Sequence, residues 1–177
     1  MAKNNGLIHI YCGENKGKTT ASVGLAVRAA GRGFSVIFAQ FLKTAPSGEL
    51  ASLEKLGVQV YRGDLPKGFS WEMNPDELKI LKEEHNKLFL KVTSLICGKG
   101  DNTLLVLDEM IGAYDGDFID RDIVLKFLRE KPENLEVVMT GRNPAPELAE
   151  LADYITEMKK IKHPMDTGVI ARKGIEM

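Results

Sequence analysis

The sequence is short of cysteine, of long apolar runs and of net charge, and each shortage argues against a class of protein. Its two cysteines, Cys12 and Cys97, lie too far apart and too isolated for a disulfide framework or a zinc site. The N-terminus "MAKNNG" has no apolar core of signal-peptide length, and no uninterrupted apolar stretch is long enough to span a membrane. Lysine and arginine number 24 against 25 acidic residues, which leaves no basic footprint for nucleic acid or an anionic membrane. We therefore predict a cytoplasmic protein with reduced thiols and with neither nucleic acid nor membrane as a partner.

The length and composition predict one domain that spans residues 1–177. A chain of 177 residues matches the usual size of a single domain. Hydrophobic residues make up 44% and charged residues 28%, as in ordinary globular proteins with one substantial core. No internal repeat, low-complexity tract or linker divides the chain.

Apolar, β-branched segments of strand length alternate with helical patterns along the chain. Near-continuous apolar runs indicate strands that are covered on both faces. Strands alternating with helices indicate a parallel α/β sheet, here of about six strands. The predicted strands are 7–11, 35–41, 58–61, 103–107, 135–141 and a weaker one at 154–158, and the predicted helices are 19–32, 48–56, 75–96, 120–129 and 146–151.

The longest helix has the clearest start and apolar face. Asn74 is a good N-cap, followed by Pro75 and, three residues after the cap, by Glu77. "CGKG" at 97–100 ends the pattern. We interpret His85 as a packed or hydrogen-bonded core histidine rather than a ligand. The apolar face at helical spacing consists of Leu78, Leu81, His85, Leu88, Val92 and Leu95.

The segment "GENKGKTT" follows the first predicted strand and precedes a helix. A strand, a glycine-bearing loop ending in Gly-Lys-Thr and a helix together form an anion-binding site, because loop amides and the helix N-terminus point at the ligand. Lys18 would reach between phosphates, and the Thr19 hydroxyl would bind magnesium. The spacing is unusual, since Cys12 stands where the ordinary motif has its first glycine and Gly13 comes one residue late. The alternative is a glycine-rich turn that only joins strand to helix.

An acidic pair, Asp108 and Glu109, ends the apolar run "TLLVL". The carboxyl ends of parallel strands converge on one crevice, so both carboxylates could face Thr19. They would hold magnesium, usually through water, as acidic strand ends do in phosphate-loop enzymes. Such carboxylates are otherwise helix caps or surface groups.

Arg142, in "TGRNP", is placed at the same edge by a third predicted strand. An arginine there could neutralise a polyphosphate or pair with a carboxylate in bidentate fashion. The alternative, equally open from the sequence, is a surface arginine in a turn.

Together these segments resemble the phosphate-loop class of ATP:corrinoid adenosyltransferases. The resemblance covers nearly the whole chain, through "GENKGKTTASVGLAVRAAGRG", "VIFAQFLK", "GFSW", "LLVLDEM", "EVVMTGRNPAPELAELADYITEMKKIKHPMDTGV" and "KGIE". It implies a three-layer, RecA-like P-loop NTPase fold. It also implies transfer of the 5′-deoxyadenosyl group of ATP to Co(I) of cobalamin or cobyrinic acid a,c-diamide, with release of triphosphate.

The resemblance also explains the loop spacing. The family's loop reads glycine, any residue, glycine, then Lys-Gly-Lys-Thr-Thr, so its first glycine matches Gly13. That family holds its nucleotide in the reverse sense to most phosphate-loop enzymes and thereby presents the ribose C5′ to attack. Asn15 replaces the second glycine, a tolerable change because asparagine adopts left-handed conformations readily. The residues expected to bind the ATP phosphates are Gly13, Glu14, Asn15, Lys16, Gly17, Lys18, Thr19 and Thr20.

The resemblance further assigns roles during the reaction. Lys18, Glu109 and Arg142 are the expected catalytic residues, and Thr19, Asp108 and Glu109 would hold Mg²⁺. Since Co(I) is itself a strong nucleophile, no catalytic base is needed. Making Co(I) implies a reductant, for which a flavin-type protein is a candidate, and we also expect a homodimer.

The aromatic residues Phe69 and Trp71 match family positions that lie beneath the corrin and displace its lower ligand. In an extended segment, residues two apart point to the same side, so both rings would face one way. The alternative is a hydrophobic plug over the long helix.

Two departures from the family pattern concern the edges of the site. Ile111 and Gly112 stand where the family often has a polar residue, usually asparagine. Only six residues precede Leu7, so we expect the N-terminal lid of longer relatives to be missing or replaced.

Two other functions remain open from the sequence: a generic P-loop ATPase or kinase, and a sensor that binds nucleotide or corrinoid without turnover.

Overall fold

A computed structural model describes residues 5–45, 47–66, 68–96 and 102–175. Its centre is a six-stranded sheet in the order β3-β2-β4-β5-β1-β6, and every pairing is parallel. The strands are β1 (Ile8–Cys12), β2 (Ser35–Gln40), β3 (Gln59–Arg62), β4 (Thr103–Asp108), β5 (Leu135–Thr140) and β6 (Tyr154–Glu157).

Helices connect the strands, as parallel pairing requires. Two short 3₁₀ turns occur at Ser70–Glu72 and Pro164–Thr167. Within the described ranges, no helix is long and apolar enough to span a membrane. The helices are α1 (Lys18–Ala30), α2 (Gly48–Lys55), α3 (Pro75–Ser94), α4 (Met110–Asp115), α5 (Arg121–Glu130) and α6 (Pro146–Leu151).

The sheet is covered on both faces, which explains the unbroken apolar runs. Successive residues of β2 and β4 point to opposite faces, since strand side chains alternate. Phe38 and Val106 pack with α1 and α2, whereas Ile37 and Leu105 pack with the helices on the other face. The predicted three-layer α/β sandwich with a parallel sheet is therefore confirmed.

Helix α3 begins as predicted. The Asn74 side chain accepts hydrogen bonds from the backbone amides of Asp76 and Glu77, which completes a capping box. Its buried face differs slightly from the prediction, because Phe89 is buried and Leu95 is exposed. The predicted end at 97–100, together with Cys97, lies outside the described residues.

Helix α4 was not expected from the sequence. It has six residues, contains Gly112, and follows Glu109 in a left-handed conformation without a side-chain cap. None of the usual start signals is present, so its formation depends on burial of Met110, Ile111 and Tyr114 in the core.

The strand order places the functional residues. Strand β5 lies between β1 and β4, so the ends of four neighbouring strands, β2, β4, β5 and β1, form one continuous edge. In the register, Gln40 pairs with Asp108, and Tyr11 pairs with Thr140. Side chains far apart in sequence thereby meet at the carboxyl edge, where open α/β sheets bind ligands.

Candidate active site

The loop between β1 and α1 requires glycine at two positions. Gly13 and Gly17 have φ angles of 115° and 121°, which side-chain-bearing residues rarely adopt. A Cβ on Gly13 would lie 2.5 Å from the carbonyl oxygen of Met158, just beyond β6. The loop is thus packed against the end of the neighbouring strand, and Gly13 has no room for a side chain.

Lys18 is buried at the start of α1 and folds back over this loop. Its Nζ donates hydrogen bonds to the carbonyl oxygens of Gly13 at 2.6 Å and Asn15 at 2.7 Å. The ammonium is therefore already held by the segment expected to bind phosphates, and its partners are neutral carbonyls that an anion could replace.

Asp108 is the buried centre of the site, with no exposed surface. Its Oδ1 accepts hydrogen bonds from the hydroxyls of Thr19 and Thr140, both at 2.8 Å. Its Oδ2 accepts one from Gln40 Nε2 at 3.1 Å. The structure therefore brings together Thr19 and Asp108, as the sequence predicts, and adds two neutral donors that sequence reasoning missed.

Lys43 is the most consequential residue that the sequence analysis missed. Its Nζ lies 2.7 Å from Asp108 Oδ2 and 3.2 Å from Thr19 Oγ1. The hydroxyl and carboxylate oxygens are hard donors of the kind that Mg²⁺ prefers. A cation already stands between them, so the donor set fits a magnesium ion. The only available signal was the position of Lys43 just after β2 in "VIFAQFLK".

Glu109 turns away from the strand beside Asp108. It has a left-handed φ of 59°, and its backbone N–H donates to Thr140 Oγ1 at 2.9 Å. Burial, followed by the charge of Asp108, raises the pKa of the Glu109 carboxyl, while Lys43 and Lys18 partly oppose that rise. A left-handed non-glycine residue at a strand end is a form of backbone strain that concentrates at functional sites.

Arg142 lies at the same edge but is largely exposed. Its Nη1 is 3.7 Å from Glu14 Oε2, and Asn143 donates to the other oxygen of Glu14 at 3.3 Å. The Arg142 carbonyl oxygen accepts a hydrogen bond from Gly13 N at 2.8 Å. The arginine is thus tied to the loop through its backbone, while its guanidinium makes a weak surface ion pair.

A large cavity of about 1170 Å³ opens beside the loop. This volume exceeds that of an ordinary small-molecule pocket. Its lining includes Lys18, Thr19, Lys43 and Glu109, together with residues of the C-terminal segment 163–175 that begin at His163. The other predicted site residues that line it are Asn15, Lys16, Gly17, Thr20 and Phe69. The predicted site residues that do not line it are Gly13, Glu14, Asp108, Arg142 and Trp71.

Phe69 and Trp71 form a stacked pair at the edge of this cavity. The ring centroids are 4.4 Å apart and the planes differ by 6°, while Trp71 is 77% exposed. The predicted extended geometry is wrong, because Ser70–Glu72 forms a 3₁₀ turn that folds the rings onto each other. Both residues also line a smaller pocket of about 110 Å³. The exposed aromatic pair provides a flat apolar surface.

The two positions that depart from the family pattern have different surroundings. Ile111 is fully buried. A Cβ added to Gly141 would lie 2.4 Å from the Cβ of Ile111. Ile111 therefore packs under the β5 end rather than facing a ligand. Gly112 lies beside Leu42. A Cβ added to Gly112 would be 3.0 Å from Leu42 Cδ1, so position 112 leaves little space for a side chain.

Solved structures with a similar fold are ATPase domains. The cytoplasmic domain of EssC has a TM-score of 0.54 at 18% identity, with 95% of this chain and 35% of that chain covered. The cytoplasmic domain of the Thermomonospora curvata type VII secretion ATPase EccC has a TM-score of 0.52 at 15% identity, covering 89% and 21%. At these identities the likeness shows the fold alone. The fold and the loop geometry define a P-loop protein of the α/β class.

A family profile described as "ATP:corrinoid adenosyltransferase BtuR/CobO/CobP" matches residues 4–177. The chain belongs to this family. Proteins named corrinoid adenosyltransferase from Pseudomonas aeruginosa and Escherichia coli K12 are 34% and 35% identical to it. Each alignment covers 97% of this chain, and 83% and 85% of the relative. The protein is thus an enzyme of ATP-dependent adenosyl transfer, with ATP and a corrinoid as substrates, and a generic ATPase, kinase or sensor is not favoured.

Proposed function

We propose that this single domain transfers the 5′-deoxyadenosyl group of ATP to Co(I) of a corrinoid, releases triphosphate, and uses the residues described above to do so. The observation that carries this assignment of residues is the convergence of Lys18, Thr19 and Asp108 beside a cavity large enough for a nucleotide and part of a second substrate. We place the enzyme in the cytoplasm as a homodimer served by a flavin-type protein reductant.

The triphosphate binds to the loop of residues 13–20 in this proposal. Helix α1 has 13 residues, and its N-terminal amides and dipole favour an anion at Lys18. Lys18 exchanges the carbonyl oxygens of Gly13 and Asn15 for phosphate oxygens, a short movement of a flexible side chain.

Thr19 and Asp108, with Glu109 beside them, would hold Mg²⁺. Bound there, the ion supplies positive charge to the phosphates of the leaving group. The buried hydrogen bonds from Thr140 and Gln40 fix the Asp108 carboxylate so that its orientation does not depend on the ligand. These two residues position the acid and need not contact substrate.

The transfer step is an in-line displacement. The electron pair of Co(I) attacks C5′ of the ribose, the carbon–cobalt bond forms, and the C5′–oxygen bond breaks with its electron pair going to triphosphate. No proton moves, so the site needs alignment and charge rather than a base. Loop amides and Lys18 meet the growing negative charge, and Arg142 assists from the loop edge.

The stacked Phe69 and Trp71 provide the surface for the corrin in this proposal. The proposal is supported by Phe69, which lines the main cavity together with residues of the loop expected to bind the nucleotide. Apolar rings beneath the cobalt would exclude water and the lower axial ligand, which makes cobalt easier to reduce.

Product analysis with chemically reduced cob(I)alamin, ATP and Mg²⁺ tests the function. A carbon–cobalt bond with stoichiometric triphosphate supports it, whereas ADP or phosphate indicates a kinase or ATPase, and no product indicates a sensor.

Lys18→Ala should lower transfer by about 10²–10³-fold, the usual loss when one stabilising group is removed from such a site. Lys87→Ala, which removes an exposed lysine from α3, is the matched control and should retain activity. Near wild-type turnover of Lys18→Ala would refute its assigned role.

A further inference from the structure

Lys43 occupies the position between Thr19 and Asp108 that a metal would need. It lies in the segment after β2, and its Nζ contacts both Asp108 Oδ2 and Thr19 Oγ1. Among the described hydrogen-bond partners of Asp108, it alone carries a charge, since the others are Thr19, Thr140 and Gln40.

The hydrogen-bond directions show why lysine and metal exclude each other. The Thr19 hydroxyl donates its proton to Asp108 Oδ1, so its oxygen has only lone pairs left to offer. One of these lone pairs accepts from Lys43. A metal bound to Thr19 Oγ1 would use the same oxygen beside the same carboxylate, and two cations at that separation repel strongly. Binding of a metal therefore requires the ammonium to leave.

The backbone around Lys43 is anchored, while its side chain is partly exposed and is held only at its ammonium end. Leu42 has a left-handed φ of 55°, and its N–H donates a hydrogen bond to His85 Nε2 at 3.2 Å. Arg62 donates to the carbonyl oxygens of Lys43 and Ala45. The Lys43 side chain remains 29% exposed and lines the main cavity. Its four-carbon stem can thus turn towards the loop side of the cavity without movement of the backbone.

We propose, on the basis of the proposed function above, that Lys43 is an internal counter-ion that makes metal binding depend on the triphosphate. Without nucleotide, the ammonium neutralises the buried Asp108 and competes with the metal. With nucleotide, the displaced ammonium gains phosphate oxygens in the cavity, so its departure costs little. Metal and triphosphate therefore bind together far better than the metal does alone.

Titration of the apo protein with Mn²⁺, followed by electron paramagnetic resonance, tests this competition. Mn²⁺ accepts the same oxygen ligands as Mg²⁺ and reports binding without any turnover. Lys43→Met removes the charge but keeps a long side chain. We expect Lys43→Met to bind Mn²⁺ alone roughly ten- to a hundredfold more tightly than the wild type. This ratio of affinities corresponds to the free energy of one hydrogen bond with a charged group. Adding inorganic triphosphate should shrink this difference.

Two further variants complete the design. Lys87→Met removes one exposed positive charge from α3 and should match the wild type, which excludes a general effect of net charge. Lys43→Arg keeps a cation and should retain weak binding of Mn²⁺ alone. If Lys43→Met does not fold, chemical labelling of the wild type tests the proposal instead. Acylation of Lys43 should become faster when Mn²⁺ occupies the site. An unchanged or slower rate of acylation overturns the proposal.

Equal Mn²⁺ affinities in the wild type and folded Lys43→Met, including no detectable binding by either, overturn the competition. Weaker binding by Lys43→Met does so as well. The assay contains no corrinoid, so it is separate from the proposed function. A failed Mn²⁺ result with normal adenosyl transfer removes only the counter-ion role, and a positive Mn²⁺ result without transfer removes only the adenosyltransferase mechanism.

Discussion

His85 should make the protein lose stability in mild acid. The ring is fully buried in α3, where its Nε2 accepts from the N–H of Leu42 and its Nδ1–H donates to the carbonyl oxygen of Phe118 at 3.0 Å. Burial lowers the pKa of His85 to about 4, although the Phe118 carbonyl and the Glu84 carboxylate oppose the shift. The folded protein therefore needs a neutral ring, and the predicted core histidine is confirmed.

The magnitude follows from the difference between the folded and unfolded pKa values. The unfolded ring titrates near its ordinary pKa of 6.5 and the folded ring at about 4. Between these values the unfolded chain binds more protons, so the free energy of unfolding falls as the pH falls. The full difference corresponds to a loss of about 3 kcal/mol below pH ~4, at about 1.4 kcal/mol per pKa unit. Above pH ~6.5 the contribution is complete.

Urea unfolding of the wild type and His85→Gln between about pH 7.5 and 4.5 measures this effect. Glutamine retains a donor and an acceptor without titrating in this range. We expect His85→Gln to be less stable than the wild type at neutral pH because its hydrogen bonds are less well placed, and to have a shallower dependence on pH. His163→Gln, which removes a histidine from the C-terminal segment, should keep the wild-type slope. Equal slopes for His85→Gln and the wild type would contradict the reasoning.

Two variants test the edges of the site. Glu109→Gln should raise the Mg²⁺ concentration needed for half-maximal transfer while the corrinoid KM stays unchanged, because a neutral amide is a weaker partner for a metal; equal effects on both would argue against a metal role. Trp71→Ala should fold and bind ATP, since Trp71 is exposed, yet lose activity when cobalt enters as Co(II) with a mild protein reductant. Its activity should largely return with Co(I), and equal impairment with both cobalt states would indicate a structural plug.

Local sequence signals were enough for the sheet and for the loop. Strands covered on both faces have continuous apolar runs, and each predicted run contains or overlaps an observed strand. The loop signal is local as well, because Gly13 and Gly17 adopt conformations that restrict the residue type. The predicted helix ends are exact or differ by at most two residues, which is within the normal fraying of helix termini.

Three features were not predicted, and two of them depend on contacts between distant segments. No local pattern places Lys43 on Asp108, which is 65 residues away. Helix α4 forms because the core buries it, against its own weak propensity. The stacking of Phe69 on Trp71 depends on a 3₁₀ turn at Ser70–Glu72, whereas an extended segment would have separated the rings. Tertiary structure therefore decides the first two features, whereas the stacking follows from a local turn that the sequence analysis did not predict.

The buried carboxylate of Asp108 shows why fold and site must form together. Removing an ionised group from water costs on the order of several kcal/mol unless its oxygens are satisfied. Two of its partners, Gln40 and Thr140, end β2 and β5, and the other two, Thr19 and Lys43, lie just beyond β1 and β2, while Asp108 itself ends β4. The charge is therefore tolerated only when all four strands are paired in the observed order. A shift of β2 or β5 would remove one or two of these donors, so the register that stabilises the sheet is also the register that assembles the proposed metal site.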